Sequence, residues 1–159
     1  MLYSDGILKI ILTEKTNGIC FLCFLLNRLK KERIFIIIIT DNTIVKNKIK
    51  HKNVKYINDI YLEVLKESRN LIHKGYELLS HPMYSSIKPN ETPYRSIILK
   101  KSNKLDTNSV LLIEEAIYIS NKFQNNKQTP NWTYNVIDDF RVIDLDILSN
   151  TLERIQYIL

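Results

Sequence analysis

A varied set of side chains capable of chemistry lies close together in "HPMYSSIKPNETPYR", residues 81–95. His81 can exchange a proton near neutral pH or coordinate a metal. Lys88 and Arg95 can hold an anion, and the Arg95 fork can grip a carboxylate or phosphate with two parallel hydrogen bonds. Glu91 can act as a base or pair with Lys88. Asn90, Ser86 and Tyr94 add polarity without charge. Three of the chain's four prolines, Pro82, Pro89 and Pro93, are in the same stretch. Each fixes its own φ and confines the residue before it to extended conformations, so the segment loses little entropy on adopting one shape. A stiff connector would need the prolines alone. The reactive side chains between them also admit a ligand-binding or catalytic loop.

The flanking residues indicate what positions this stretch. "IFIIIITDN" at 34–42 has six consecutive apolar residues, five of them Ile, and ends in an Asp-Asn turn. A run apolar on both faces suits a central strand covered on both sides. Thr40, Asp41 and Asn42 would then sit just past a strand end, where open α/β sheets bind ligands. Asp41 and Asn42 join Lys88, Asn90, Tyr94 and Arg95 as ligand-binding candidates, with His81 and Glu91 as candidate acid/base groups.

"NVKYI" at 53–57 reads as a short strand. Residues 58–75 read as a helix, with Asn58 or Asp59 as cap, a stripe of Leu62, Leu65, Arg69 and Ile72, and Gly75 as the stop. "YELLS" at 76–80 and "YRSIILK" at 94–100 read as the strands bracketing the proline segment. A helix follows from about Asp106 to Phe123. Glu114 within it needs a cation such as Lys88 or Arg95 if it faces inward, because a buried unpaired carboxylate is costly. "NNKQTPNW" is a loop, "VIDDFRVI" at 136–143 reads as a short strand, and Asp144 would cap a last helix with Leu145, Leu148, Leu152 and Ile155 on one stripe. The order predicts an α/β protein: a single domain over residues 34–159, with a mixed central sheet covered by about three helices. Residues 1–33 read as an extension, either an added strand or helix or a segment that the core does not need.

Composition removes several functions. The chain has 159 residues, 45% of them apolar and 25% charged, in the normal range for a soluble domain. The net charge of +6 raises nucleic-acid binding. The lysines cluster at Lys46, Lys48, Lys50, Lys52 and Lys55, yet the chain has only six arginines and no recognisable nucleic-acid motif. Nucleic acid is therefore disfavoured as a partner, and a solvated loop or edge suits the lysines. "CFLC" at 20–23 lacks the cationic or helix-opening setting that makes a thiol reactive, and two cysteines do not make a zinc site. No metal and no cofactor is expected. With three glycines the chain has no Gly-rich phosphate cradle, and no nucleophile elbow or metalloprotease motif occurs. The longest fully apolar runs fall well short of the about 20 residues that span a bilayer, so no membrane is expected and a cytoplasmic location follows.

"HKGYELLSHPMYSSIKPNETPYRSIIL", residues 73–99, resembles the signature of the GrdX-like family. The similarity runs from "IIIITDN" through "DFRVIDLDIL", roughly residues 34–150. The resemblance implies a small protein associated with the glycine, sarcosine or betaine reductase system of anaerobic, amino-acid-fermenting bacteria. It implies context without a mechanism, and residues 1–33 inherit nothing from it.

Three functions are consistent with these observations. The first is an accessory protein that binds a glycine reductase subunit, or a small carboxylate or phosphate, through the 81–95 loop, with Lys88 and Arg95 converging. The second is a small enzyme of the same pathway, with His81 as acid/base, Glu91 or Glu114 assisting and Lys88 or Arg95 stabilising an anion. No activated nucleophile supports it. The third, least supported, is a basic nucleic-acid-binding regulator using the 46–55 lysines.

Overall fold

A computed structural model describes residues 35–49, 53–85 and 87–158. The isoleucine run forms β1, Ile36–Thr40, and a short helix, α1, Thr43–Lys48, follows it. Next come β2, Val54–Tyr56, α2, Tyr61–His73, and β3, Tyr76–Leu78. The proline segment then leads into β4, Ser96–Lys101, and two long helices complete the order: α3, Thr107–Asn126, and α4, Tyr134–Ile158.

The four strands form one mixed sheet in the order β2-β1-β4-β3. β1 runs parallel to β2 and antiparallel to β4, and β4 is antiparallel to β3. β1 and β4 are the inner strands, as an apolar run with no polar face requires. Alternation along them sends side chains to two cores. Ile39, Ile97 and Leu99 pack with Val64, Leu65 and Ile72 of α2 and Ile113 and Ala116 of α3. Ile38 and Ile98 face the other way, onto Val45 of α1 and Leu148 and Ile155 of α4. The sheet is thus sandwiched between two helical layers, and each fully buried Ile contributes roughly 1.5–3 kcal/mol.

The strands expected at 34–42, 53–57, 76–80 and 94–100 and the helix expected at 58–75 all form, with narrower bounds. α2 ends as expected at Gly75, whose φ of +82° disfavours any side chain. A Cβ there would also meet the Ser102 carbonyl oxygen at 3.2 Å. The N-cap of α2 is Ile60, with no side-chain cap bond, and Asp59 instead accepts from the Ile60 N–H at 2.7 Å. Arg69 lies 3.8 Å from Glu114 of α3, and neither Lys88 nor Arg95 is within ion-pair distance of that carboxylate. Asp106 caps α3, accepting from the Ser109 N–H at 2.8 Å. Ser109 passes that order on, its hydroxyl accepting from the Leu78 N–H of β3.

Two expectations fail. α1 was not foreseen, and Asn42 is its N-cap, its Oδ1 accepting from the Ile44 N–H at 3.0 Å. The predicted strand at 136–143 and the helix starting at Asp144 are one continuous helix, α4. Val136, Ile137, Val142 and Ile143 favour a strand locally. Yet burial recurs at Asp144, Leu148 and Ile155, a helical spacing, and packing on the sheet overrides the local preference. Asp144 therefore stands inside a helix rather than at its start.

Candidate functional site at the end of the central strands

The register places Thr40, the last residue of β1, opposite Ser96, the first of β4. Both project to the α4 side, two positions beyond Ile38 and Ile98. Their hydroxyls are 2.7 Å apart, and Ser96 Oγ donates to Asp144 Oδ2 at 2.7 Å. Thr40 Oγ1 in turn accepts from the Asn42 N–H at 3.0 Å. The bonds run in one direction, from backbone amide through two hydroxyls to the carboxylate, so each polarises the next.

Asp144 is the hub of this network. Besides Ser96 it accepts from Asn42 Nδ2 at 3.0 Å and from the Tyr84 hydroxyl at 2.6 Å. Asn42 Nδ2 also reaches the Arg141 carbonyl at 2.8 Å. One amide side chain thus caps α1 and ties α4 to the end of β1. Burial, and then the Asp144 charge, hold the Tyr84 hydroxyl well above the usual tyrosine range, so it remains a donor.

Arg95 occupies the other side of Tyr84. It is 3% exposed, its Nη1 donates to the Tyr84 carbonyl at 2.7 Å, and its backbone N–H donates to Asp41 Oδ1 at 2.7 Å. Its guanidinium carbon lies 4.2 Å from the Tyr84 ring centre and 5.0 Å from that of Tyr61. Among the described residues no carboxylate lies within ion-pair distance of it, and its Nε has no hydrogen-bond partner. Asp41 is buried as well. Desolvation, opposed by the Arg95 N–H bond, raises its pKa to about 8, and its Oδ2 is unpartnered. Burial thus disfavours the charged form of Asp41, so that it offers Arg95 only a weakened countercharge from that side.

Arg95 and Asp144 line one pocket together with Tyr84, Thr92, Tyr94 and Phe140, walled further by the side chains of Ile87, Ile143 and Ile147. Ser85, at the pocket edge, has a left-handed φ of 75°. Tyr94 is held from outside by Arg141, whose Nε donates to the Tyr94 hydroxyl at 3.0 Å.

The remaining candidates divide. Asn90 is buried, its Nδ2 donating to the Lys127 carbonyl at 3.1 Å while its Oδ1 is unpartnered. With the Trp132 indole N–H on the Glu91 carbonyl at 2.8 Å, this clamps the proline turn onto the segment between α3 and α4. Lys88 and Glu91 pair with each other at 3.6 Å, both substantially exposed, and neither lines the Arg95 pocket. His81 is exposed, and its Nδ1 accepts from the Met83 N–H at 3.1 Å. His81, Lys88, Glu91 and Arg95 therefore do not line a common pocket. Lys55 pairs with Glu67 at 2.6 Å and Lys46 stacks on Tyr56, while residues 50–52 and the Cys20–Cys23 pair lie outside the described residues. Among the described residues no group of three or more His, Cys, Asp or Glu is placed to hold a metal, and no helix is long and apolar enough to cross a membrane.

Sequence reasoning located Asp41, Asn42, Tyr94 and Arg95 and missed Asp144, Tyr84 and Ser96 as parts of the cluster. Asp144 carried a readable signal. It lies four residues before Leu148 and eleven before Ile155, which puts its carboxylate on the buried face of a helix.

Fold and site together define a small α/β sandwich with a buried arginine and a buried aspartate lining a pocket where the central strands meet the last helix. The chain belongs to the GrdX-like family, whose model, described as GrdX-like protein, matches residues 37–153. Searches of curated proteins and of solved structures returned no match.

Proposed function

We propose that this protein is an accessory protein of the glycine, sarcosine or betaine reductase system, working in the cytoplasm, and that it binds a small carboxylate-bearing ligand at Arg95. The observation that carries the ligand is the state of Arg95. A guanidinium removed from water needs compensation. Here it has a carbonyl and two aromatic faces, with no carboxylate in ion-pair range among the described residues, and an Nε that nothing fills. An incoming carboxylate supplies the missing partner in the bidentate geometry that arginine favours. Family membership supports the reductase context, which is where a reductase subunit enters as the protein partner.

Calorimetric titration with acetate and with inorganic phosphate tests the ligand reading. Wild type should bind at least one of them, and Arg95→Lys, which keeps the charge but not the fork, should bind more weakly while retaining the wild-type circular dichroism spectrum. Absence of binding by any small anion to folded wild type overturns it. Purified reductase subunits, presented to the immobilised protein, test the association separately.

A further inference from the structure

We propose that the flank of α4 between Val136 and Ile147 is a docking surface for a basic amphipathic helix of a partner protein. Docking there needs no ligand at Arg95. Val136, Phe140, Ile143 and Ile147 follow one another at spacings of four, three and four residues. That spacing keeps them on one stripe of the helix, about 16 Å long. A different stripe packs on the sheet, with Leu145, Leu148, Leu152 and Ile155. None of the four belongs to either core, and all are at least partly open to solvent, Ile143 at 42%. The proline segment adds Ile87, which meets Phe140, Ile143 and Ile147 around one surface depression. α4 therefore carries a second apolar stripe that the fold does not bury. An exposed apolar strip rimmed by polar residues marks an interaction surface, which a scattered apolar residue does not.

Charge identifies the occupant. Beside the stripe, on the side away from the sheet, Asp139, Asp146 and Glu153 recur every seven residues, and all three are exposed. Among the described residues none of them is in an ion pair. The stripe thus has an apolar seam and a border of one sign, like the seam and one flank of a coiled-coil helix. A helix seated on it with apolar residues at matching spacing sets its own flanking residues against that border. Lys or Arg there is attracted, and Asp or Glu is repelled. A second copy of this chain fits poorly. Two α4 helices paired antiparallel along the stripe would bring acidic border against acidic border. A parallel pairing would need the other flank of the stripe, where Asp144 is buried in its own fold. An anionic lipid surface meets the same repulsion. Arg154, exposed on the continuation of the stripe, ends the seam beyond Ile147.

The test is fluorescence anisotropy of labelled synthetic helical peptides of about 14 residues, long enough to cover the stripe, titrated with the full chain. The basic probe carries Leu at the spacing of the stripe and Lys along one flank. A second probe has Glu in place of those Lys, and a third has the composition of the first in scrambled order. The basic probe should bind wild type, with the Glu probe and the scrambled probe each weaker on the order of tenfold or more. Ile143→Asp should weaken the basic probe. Asp139→Lys combined with Asp146→Lys should reverse the preference, so that the Glu probe binds better than the basic one. All three positions are exposed, so the variants should keep the wild-type circular dichroism spectrum. Failure of the basic probe to bind folded wild type overturns the proposal. Equal binding of the scrambled probe reduces the surface to a charge patch and also overturns it, as does an unchanged preference in the double variant. Sedimentation showing wild-type dimers that Ile143→Asp abolishes gives the stripe to a second copy and overturns the basic partner.

Discussion

Tyr84 donates its hydroxyl to Asp144 at 2.6 Å, joining the proline segment to the middle of α4 across 60 residues of sequence. The same hydroxyl lies 3.4 Å from the Ser96 N–H at the start of β4. This contact holds the segment, the sheet end and the last helix in one arrangement. Tyr84→Phe keeps the ring that faces Arg95 and removes only the donor. Asp144 Oδ1 is then left without its protein donor, and a buried acceptor that loses its bond costs roughly 1–3 kcal/mol. Urea unfolding should show that loss as a lower midpoint with unchanged slope. Wild-type stability in the variant would mean that the contact holds nothing together.

The surface part of the proline segment behaves differently. Lys88 and Glu91 form an exposed pair outside the pocket. Exposed pairs contribute at most about 1 kcal/mol. Lys88→Ala and Glu91→Ala should each leave the unfolding midpoint nearly unchanged and alter small-anion affinity by no more than about twofold. A large affinity loss in Lys88→Ala, measured by calorimetry, would move the ligand out of the Arg95 pocket and onto the loop surface.

How legible these features were depends on the range of the interactions involved. β1 was plain because six apolar residues ending in Asp-Asn have few other uses. The same run located Thr40, Asp41 and Asn42 at a strand end. Arg95 stood out because prolines isolate it in a short segment. Asp144 was misplaced because Val136, Ile137, Val142 and Ile143 are β-branched, and only contact with the sheet makes that stretch helical. Tyr84 and Ser96 carried no signal of their own. Their roles arise from a register and a helix position that no local pattern encodes. The grouping of His81, Lys88, Glu91 and Arg95 by sequence proximity ignored side-chain direction, and the turn sends the first three away from the pocket lining.

Ser85 provides a test of the backbone at the pocket edge. Its φ of 75° falls where an L side chain is strained and glycine is not. Ser85→Gly should stabilise the protein by roughly 0.5–1 kcal/mol, the relief of strain being partly offset by the greater freedom of glycine in the unfolded chain. Ser85→Val should destabilise it, since a β-branched residue tolerates that region least. Thermal unfolding of the pair settles the point, and a destabilised Gly variant would show that the Ser85 side chain matters more than its backbone.

Asp41 should impose a pH dependence of definite sign. Burial raises its pKa from 3.8 to about 8 in the folded chain. Between those values the folded state holds a proton that the unfolded state has released. The contribution to stability is therefore complete below the unfolded pKa and is lost as pH rises toward 8, by roughly 1.4 kcal/mol per pH unit at its steepest. Above about 8 both states are ionised and the loss stops. Asp41→Asn retains an oxygen for the Arg95 N–H, places an amide where the protonated oxygen stood and cannot ionise. The difference in stability between variant and wild type should accordingly grow in favour of the variant from pH 5 to pH 8, then level off. Urea unfolding of both proteins at half-unit intervals measures that difference, and other titrating groups cancel in the subtraction. Parallel curves across the window would show that Asp41 is ionised in the fold and that Arg95 already has its countercharge. The same result would remove the basis for an exogenous carboxylate at that arginine.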